Sequence, residues 1–247
     1  MSKIDSLNSK KTLFVDIGNS SIKVAFTEDG IWEKVNDSFK SVTYLISWLN
    51  SHLDSVEKLI VASVRKDHFL LLKNQVTDLK IVHISIQDID FDTLNYTTLN
   101  TLGIDRYLVC LGAYHQVKKS VVVIDAGSAC TIDMMDGKGI FQGGVIMPGL
   151  QSILNIFKSS APELPEISPE IPKIWPGKST AESLQWGQVS LFRDGMRSSL
   201  ERYKEEFGEF SLFITGGDSK IVSNLISIPS KRDEFLIFKG MKAFIGG

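Results

Sequence analysis

Long apolar runs and an excess of one charge are both missing from this chain. No stretch approaches the roughly 20 apolar residues that a membrane-spanning helix needs, so we expect no membrane partner. The 27 Lys and Arg residues nearly balance the 29 Asp and Glu residues, which leaves a formal charge of −2. Because nucleic acids attract basic proteins, this balance gives no reason to expect a nucleic-acid partner.

Cysteine is scarce, and the histidines are scattered. Cys110 and Cys130 form no CxxC or Cys/His spacing, which argues against a structural metal site and favours a reducing compartment. The stretch from Met1 to Lys11 is polar and lacks the apolar core of a signal peptide, so we expect a cytoplasmic protein. Hydrophobic residues make up 43% of the 247 residues, enough to build one large or two small globular domains.

The most informative stretch runs from Val121 to Thr131. Four β-branched residues in a row predict a strand buried on both faces. The strand leads into Asp125, then Gly127 and Ser128. A carboxylate, a glycine and a hydroxyl at a strand end suit the binding of a phosphate–metal complex.

A second copy of this pattern lies nearer the N-terminus, from Leu13 to Ser20. Each copy is followed by an apolar run, an Asp-Gly turn (Asp29-Gly30 or Asp136-Gly137) and another apolar run, which predicts a hairpin. Two matching halves predict a duplicated α/β protein with a cleft between domains over 12–118 and 119–247.

The remaining pattern predicts mixed sheets covered by helices. In the first half the predicted elements are a helix over 41–53 behind a Ser41 cap, a strand over 59–62, a helix over 67–76 and a strand over 81–84. In the second half they are a helix over 150–158, a proline-rich loop over 162–176, a helix over 180–207, strands over 212–215 and 235–238, and a helix from Lys239.

Residues 87–102 lack periodicity, and a long irregular stretch in a compact domain is often functional. It ends at Gly103-Ile104-Asp105-Arg106, where a helix to Val117 begins. Asp105 in the first turn complements the helix dipole, which is a purely structural role. Alternatively it is a general base, kept ionised by the charge of Arg106.

Two glycine pairs stand at strand ends. Gly143-Gly144 indicates either a β-bulge or the close approach of a ligand or a second chain. Gly216-Gly217 precedes a helix and would expose N–H groups to an anion or to a nucleotide.

The segment Gly177-Lys178-Ser179-Thr180 resembles the end of a phosphate-binding P-loop but does not fit one. Pro172 stands where the first glycine is required, and no strand precedes the motif. We interpret the segment as a helix cap from which Thr180 could still reach a ligand. Gly187 and Gly195 predict close packing of this helix against another, in this chain or in a partner subunit.

Six motifs in order resemble the type III pantothenate kinases, of the acetate/sugar kinase–Hsp70–actin fold. The resemblance covers the chain from Asp16 to Gly240. Its motifs are Asp16-Ile17-Gly18-Asn19-Ser20, Gly103-Ile104-Asp105-Arg106, Asp125-Ala126-Gly127-Ser128-Ala129-Cys130-Thr131, Gly143-Gly144 through Pro148-Gly149, the Thr180 segment and Thr215-Gly216-Gly217-Asp218. The fold so implied is a pair of ribonuclease-H-like domains of the actin-like ATPase type.

The resemblance implies ATP-dependent phosphorylation of pantothenate, the first committed step toward coenzyme A, by a homodimer with its site near the subunit interface. Asp105 would be the proton acceptor. Pantothenate would be held by Tyr96, Gly103, Ile104, Asp105, Arg106 and Thr180, the last possibly from the partner subunit. ATP would contact Asp16, Ile17, Gly18, Asn19, Ser20, Ser21, Ile22, Lys23 and Ser128. Mg²⁺ would lie near Asp16, and K⁺ or NH₄⁺ would bind at Asp125.

The chain departs from the family pattern at three positions. Ser20 and Ser128 stand where the family usually has Thr, and Leu99 replaces a usual proline. Two alternatives stay open at this point: another small-molecule kinase of the same fold, acting on a sugar or acetate, and a nucleotide-binding regulator without enzymatic activity.

Overall fold

The computed structural model describes residues 10–36 and 38–246. The polar stretch predicted to lack a signal core lies outside these residues, except for Lys10 and Lys11. Over the described ranges, no helix is both long enough and apolar enough to cross a membrane.

Strands and helices alternate along the described chain. The strands are β1 (Lys11–Ile17), β2 (Ile22–Glu28), β3 (Ile31–Lys34), β4 (Val56–Ser63), β5 (Lys80–Ile84), β6 (Val121–Ala126), β7 (Ala129–Met135), β8 (Phe141–Pro148), β9 (Ser211–Thr215) and β10 (Lys231–Arg232). The helices are α1 (Val42–Asn50), α2 (Lys66–Gln75), α3 (Ile104–Val117), α4 (Leu150–Leu154), α5 (Thr180–Gln185), α6 (Leu191–Phe207), α7 (Ser219–Ile226) and α8 (Leu236–Ile245).

The chain divides into two compact units. The first unit runs through Thr93 and also takes in Thr97–Gly112 and the described residues from Phe235 onward. The second unit comprises Leu94–Tyr96 and Ala113–Glu234. The C-terminal helix α8 therefore belongs to the same unit as the N-terminal strands.

The two units contain sheets of identical topology. The first sheet has the order β3-β2-β1-β4-β5 and the second has β8-β7-β6-β9-β10. In each, a hairpin of three antiparallel strands is followed by two parallel ones. Asp16 in β1 and Asp125 in β6 occupy equivalent places, next to last in these strands, and this repeat confirms the predicted duplication of mixed sheets.

Most predicted elements lie within one to three residues of their predicted bounds. Both Asp-Gly turns connect antiparallel strands, and Ser41 caps α1 by accepting a hydrogen bond from the Tyr44 N–H at 3.3 Å. The interior strands β1 and β6 are almost entirely buried, as their β-branched composition predicts.

Three predictions need correction. The apolar run at 235–238 is not a strand: Phe235 is the N-cap of α8 and the next three residues begin that helix, in which Leu236 and Gly240, about one turn apart, are both buried. The helix predicted over 150–158 ends at Leu154 and continues only as turns. The helix from Thr180 to Phe207 is continuous, but its middle, Trp186–Ser190, is a π-helix.

Helices α3 and α8 approach each other very closely within the first unit. A Cβ on Gly112 would lie 2.1 Å from the Leu236 carbonyl oxygen, and a Cβ on Gly240 would lie 1.9 Å from the Leu108 carbonyl oxygen. Trp32 stacks on Phe238 at 6.1 Å beside this contact. Only glycine at 112 and 240 lets the two backbones meet.

Candidate active site

The first Asp-x-Gly corner forms a tight hairpin between β1 and β2. The Gly18 N–H donates to the Ser21 carbonyl at 3.1 Å, and Asp16 pairs with Lys23 across the two strands. Asp16 is buried, whereas Asn19 and Ser20 at the tip are exposed. The corner thus presents the small polar side chains of Asn19 and Ser20 to solvent, as suits a phosphate-binding loop.

Asp105 lies in the first turn of α3, as predicted. Its Oδ1 accepts a hydrogen bond from the Arg106 N–H at 2.9 Å. A Cβ on Gly103 would lie 2.4 Å from the same oxygen. Gly103 therefore leaves the space that the Asp105 carboxylate occupies, a role for this glycine that its place in the sequence does not reveal.

The electrostatics of Asp105 differ from the prediction. Burial raises the pKa of the Asp105 carboxyl, and this outweighs the opposing effects of the Arg106 N–H, the Arg106 charge and the Lys23 charge. The predicted influence of the Arg106 charge, which favours the ionised carboxylate, is present but smaller than that of burial. A raised pKa makes the carboxylate a stronger base, closer to the range in which general bases are most effective.

Lys23 and Asp105 interact electrostatically within the first unit. Lys23 ends the hairpin predicted to contact ATP, and Asp105 is the predicted base. The fold therefore places one predicted nucleotide-binding residue within electrostatic reach of the predicted proton acceptor, although 82 positions separate them in the sequence.

The second Asp-x-Gly corner lies between β6 and β7 in the second unit. Asp125 is half-buried and Ser128 is exposed. Gly216, at φ +90°, approaches so closely that a Cβ would lie 2.4 Å from the Ala126 carbonyl oxygen and 2.6 Å from Asp125 Oδ1. Only glycine therefore lets the corner after β9 approach the Ala126 carbonyl and the Asp125 carboxylate so closely.

Two oxygen ligands, the Asp125 carboxylate and the Ala126 carbonyl, thus lie beside Gly216. Across the described residues, no group of three or more His, Cys, Asp or Glu side chains could hold a metal ion. Mg²⁺ is often held by one carboxylate together with substrate phosphates, which is compatible with Asp16 as its protein ligand.

Cys130 follows this corner and is chemically inert. Its burial, together with the charges of Asp125 and Asp218, raises the pKa of its thiol to about 12. Because the charges of Asp125 and Asp218 both act on Cys130, Asp218 at the start of α7 adds negative charge to the surroundings of Asp125. Sequence reasoning had noted Asp218 only as part of a motif.

Thr180 begins α5, and the predicted cap is confirmed. Ser179 Oγ accepts from the Glu182 N–H at 3.3 Å, and Glu182 Oε2 accepts from the Ser179 N–H at 3.1 Å. Thr180 also lines an apolar cavity of about 650 Å³ together with Gly187 and Gln188.

The wall of that cavity includes features that sequence reasoning missed or misassigned. Gln188 lies in the π-helix and its Oε1 is buried, with no hydrogen-bond partner in the described part of the chain. A Cβ on Gly187 would touch nothing within 4 Å, and one on Gly195 would touch only Met147 of β8. Among residues 10–36 and 38–246, no other helix lies within 4 Å of a Cβ placed on either glycine.

Tyr96 belongs to the second unit. Its ring packs against Phe141 at 6.1 Å, and a Cβ on Gly143 would lie 3.4 Å from it. Gly143, at φ +83°, follows a one-residue bulge in β8, so the predicted bulge is present. Leu99, in place of a proline, begins a short 3₁₀ turn.

The sequence is similar to a family of known proteins. A family model described as type III pantothenate kinase matches residues 12–201. The chain is 32% identical over 219 residues to the type III pantothenate kinase of Flavobacterium psychrophilum, covering 85% of this chain and 88% of that protein. It is also 32% identical over 234 residues to the Aquifex aeolicus protein of the same name, covering 93% and 95%.

Solved structures give the same fold. A Campylobacter jejuni protein, titled as of the Baf family of transcriptional activators, superposes with a TM-score of 0.65 at 25% identity, covering 95% of this chain and 97% of that one. A ROK family protein from Streptococcus pneumoniae superposes with a TM-score of 0.52 at 11% identity, covering 96% and 98%. The predicted fold class, duplicated ribonuclease-H-like domains with mixed sheets, is confirmed. With a family model matched over most of its length, the chain belongs to the type III pantothenate kinase family.

Proposed function

We propose that this protein transfers the γ-phosphoryl group of ATP to the hydroxyl of pantothenate, the first step of coenzyme A biosynthesis. The observation that carries the proposal is the family match over residues 12–201, which includes Asp105 at the start of α3. The half-buried carboxylate with its raised pKa suits the one residue that this reaction asks to act as a base.

The proposed reaction is an in-line displacement. The pantothenate hydroxyl oxygen forms a bond to the γ-phosphorus, the bond from that phosphorus to the β–γ bridging oxygen breaks, and ADP leaves with the electron pair. Asp105 accepts the hydroxyl proton. In this proposal Tyr96, Gly103, Ile104, Arg106 and Thr180 hold pantothenate.

In this proposal the hairpin Asp16–Lys23 and Ser128 contact ATP. The N–H groups and hydroxyls at the exposed hairpin tip hold phosphate oxygens, and the Lys23 ammonium balances their charge. Mg²⁺, when bound with the nucleotide beside Asp16, neutralises charge that develops on the transferred group.

We further propose that Asp125 binds a monovalent cation, K⁺ or NH₄⁺. Support comes from the two oxygen ligands that lie together beside Gly216, Asp125 Oδ1 and the Ala126 carbonyl oxygen. The cation would offset the negative charge of Asp125 and Asp218 beside Ser128, where phosphate oxygens would otherwise be repelled.

We also propose a homodimer formed through the apolar face around Thr180. Leu191 is 71% exposed and Ile156 is 58% exposed at this face, and the Gln188 oxygen there lacks a partner in the described residues. Exposed apolar surface that surrounds a buried, unpaired polar atom is typical of an interface rather than of free surface. A second copy would cover it and bring Thr180 to the site near the interface.

The cytoplasm is the proposed location, and the two duplicated halves are proposed to be 12–118 and 119–247. Direct nucleic-acid binding is not part of the proposal, because the formal charge of −2 gives no basic patch to hold phosphates.

The test is a coupled ADP-release assay with purified protein, ATP, Mg²⁺ and K⁺. We expect ADP release that depends on pantothenate and falls when K⁺ is replaced by Na⁺. Turnover of a sugar or acetate with pantothenate ignored would indicate another kinase of this fold. Tight ATP binding with no acceptor turned over would indicate a regulator, and either result overturns the proposal.

A further inference from the structure

The bulge in β8 gives one polar side chain a direction that a regular strand would not. Met134 pairs with Gly143 and Met135 pairs with Phe141, so Gln142 stands between them as the extra residue of the bulge. A bulged residue re-aims its side chain, and bulges are common beside active sites. The Gln142 amide forms a hydrogen bond at each of its two ends, both within the second unit.

Asp136 binds one end of this amide. Its Oδ2 accepts a hydrogen bond from Gln142 Nε2 at 2.9 Å, and its Oδ1 accepts from the backbone N–H groups of Lys138 and Ile140 at 2.9 and 3.0 Å. The two backbone bonds fix the carboxylate within the hairpin turn. Because a carboxylate accepts hydrogen bonds and donates none, the NH₂ group of Gln142 must face Asp136, and its oxygen must face the other way.

The oxygen of Gln142 binds the irregular segment that precedes α3. Asn95 Nδ2 donates to Gln142 Oε1 at 2.7 Å, and the Asn95 N–H donates to the Phe141 carbonyl at 2.9 Å. Leu94 adds a parallel bridge to Phe141. The side chain and the backbone of Asn95 are thus both bound to consecutive residues of β8.

Tyr96 follows Asn95 directly and lies over the same part of β8. The centre of its ring is 6.1 Å from that of Phe141, and a Cβ on Gly143 would lie 3.4 Å from the ring. Residues 94–96 belong to the second unit, whereas the residues on either side of them belong to the first. The bonds of Asn95 therefore hold a segment of only three residues on β8, and Tyr96 is its last residue.

We infer that Gln142 is a positioning residue for Tyr96, because it fixes Asn95 on β8 and so sets the place of the ring proposed to contact pantothenate. Gln142 acts through Asn95 and Tyr96 rather than on the reacting atoms. A segment that is already ordered does not have to be ordered by the substrate, so Gln142 lowers KM and leaves kcat almost unaffected. This inference rests on the proposed function and deepens it.

The test begins with kcat and KM for pantothenate in matched variants. Gln142→Met keeps the length of the side chain and removes both of its hydrogen bonds. We expect KM to rise about 5-fold, the loss of about one ordinary hydrogen bond, with kcat close to the parent value. Lys138→Met is the control, because it replaces an exposed side chain of the same turn and keeps the backbone N–H that Asp136 accepts. It should have the parent KM.

An exchange of donor and acceptor tests the hydrogen bond between Gln142 and Asp136. Gln142→Glu places a second carboxylate against Asp136 and should raise KM at least as much as Gln142→Met. Asp136→Asn combined with Gln142→Glu restores a donor and an acceptor in reversed order, and the new carboxylate can still accept from Asn95. This combined protein should return to within about twofold of the parent KM, and a KM as high as that of Gln142→Glu alone would contradict the inference.

Tyr96→Ala separates a positioning role from a merely structural one. Without the ring, Gln142→Met should raise KM no further, whereas independent effects would multiply. Multiplied effects, or a parent-like KM in Gln142→Met alone, would overturn the inference. Circular dichroism of each variant shows whether it is folded.

Hydrogen exchange at Asn95 distinguishes failure of this inference from failure of the proposed function. Its N–H is bonded to the Phe141 carbonyl and should exchange several-fold faster in Gln142→Met than in the parent, whether or not the protein turns over pantothenate. Equal exchange would overturn the inference. A parent that does not turn over pantothenate would refute the proposed function, and the exchange rates would still show whether Gln142 holds this segment.

Discussion

The Asp105 side chain is subject to two opposing influences on its pKa. Burial favours the protonated acid, while Arg106 and Lys23 favour the carboxylate. Burial is the larger influence, so the folded protein holds a proton on Asp105 more tightly than the unfolded chain does. A base poised in this way loses its function once the pH falls below its raised pKa.

Asp105→Asn tests both the catalytic role of this carboxylate and the effect of its raised pKa on stability. We expect kcat to fall by about 10²–10⁴, the usual contribution of a general base. Because the pKa is raised in the folded state, Asp105 favours folding below its unfolded pKa of about 3.9, and this contribution is lost as pH rises through the folded pKa. The variant should therefore melt at a higher temperature than the parent at pH 7, but not near pH 3.

Initial rates measure the expected fall in kcat. Thermal melts of parent and variant between pH 3 and pH 7 measure the expected difference in melting temperature. A parent-like kcat would remove Asp105 from the chemistry. A variant that melts lower than the parent at pH 7 would contradict the dominance of burial over Arg106.

Asp125→Ala tests the cation site. The Asp125 carboxylate lies against Gly216 and is the charged ligand of the proposed cation, so removal of its charge eliminates the main ligand there. We expect activity that no longer rises when K⁺ replaces Na⁺, with unchanged far-UV circular dichroism. Titration of K⁺ against ADP release measures the effect, and a K⁺ response like the parent's would refute the assignment.

Among the helices, α8 shows best what sequence patterns reveal and what they hide. Its first residues, Phe235 to Phe238, are apolar without interruption, and such a short run fits a buried strand as well as a buried helix. The deciding contact is a backbone approach at Gly240, which no local pattern encodes. By contrast, hairpins and caps depend on adjacent residues and were predicted correctly.

In the candidate site, too, features set by adjacent residues could be predicted, whereas features set by contacts between distant residues could not. The two Asp-x-Gly corners and the start of α3 could be located from the sequence, because each is a local motif at the end of an element. The contact between Asn95 and Gln142 and the π-helix at Gln188 depend on residues that meet only in the folded chain. The pKa of Asp105 belongs to this second class, since burial cannot be seen in four residues of sequence.

Gly240→Ala tests the contact between α3 and α8. An added methyl would meet the Leu108 carbonyl at 1.9 Å, and relief of that overlap requires the helices to separate. We expect a loss of about 1–3 kcal/mol of stability, or a melting temperature lower by several degrees. Gly217→Ala is the matched control, because a Cβ there meets nothing within 4 Å. Equal melting temperatures for the two variants would contradict the contact.

Assembly of the protein is expected to depend on the apolar face around Thr180. Leu191→Glu places a charge on a side chain that is 71% exposed in the single chain and would be buried in the proposed dimer. We expect this variant to be a folded monomer with reduced turnover, since Thr180 is proposed to act near the interface. Sedimentation velocity gives the mass, and ADP release gives the turnover.

Leu70→Glu serves as the control for that experiment. Leu70 is 48% exposed on α2 and belongs to the first unit, whereas the apolar face belongs to the second, so its replacement should leave the mass and the turnover as in the parent. A dimeric Leu191→Glu protein, or a parent that is itself monomeric at assay concentrations, would contradict the proposed interface.

The membership of α8 in the first unit has a consequence for synthesis on the ribosome. The strands of that unit emerge first, yet the helix that packs against Gly112 is translated only after the whole of the second unit. The N-terminal unit therefore cannot complete its fold until the second unit has been synthesised, and the second unit can fold before it. A nascent chain stalled before Phe235 would hold an incomplete N-terminal unit, exposed to proteases and chaperones.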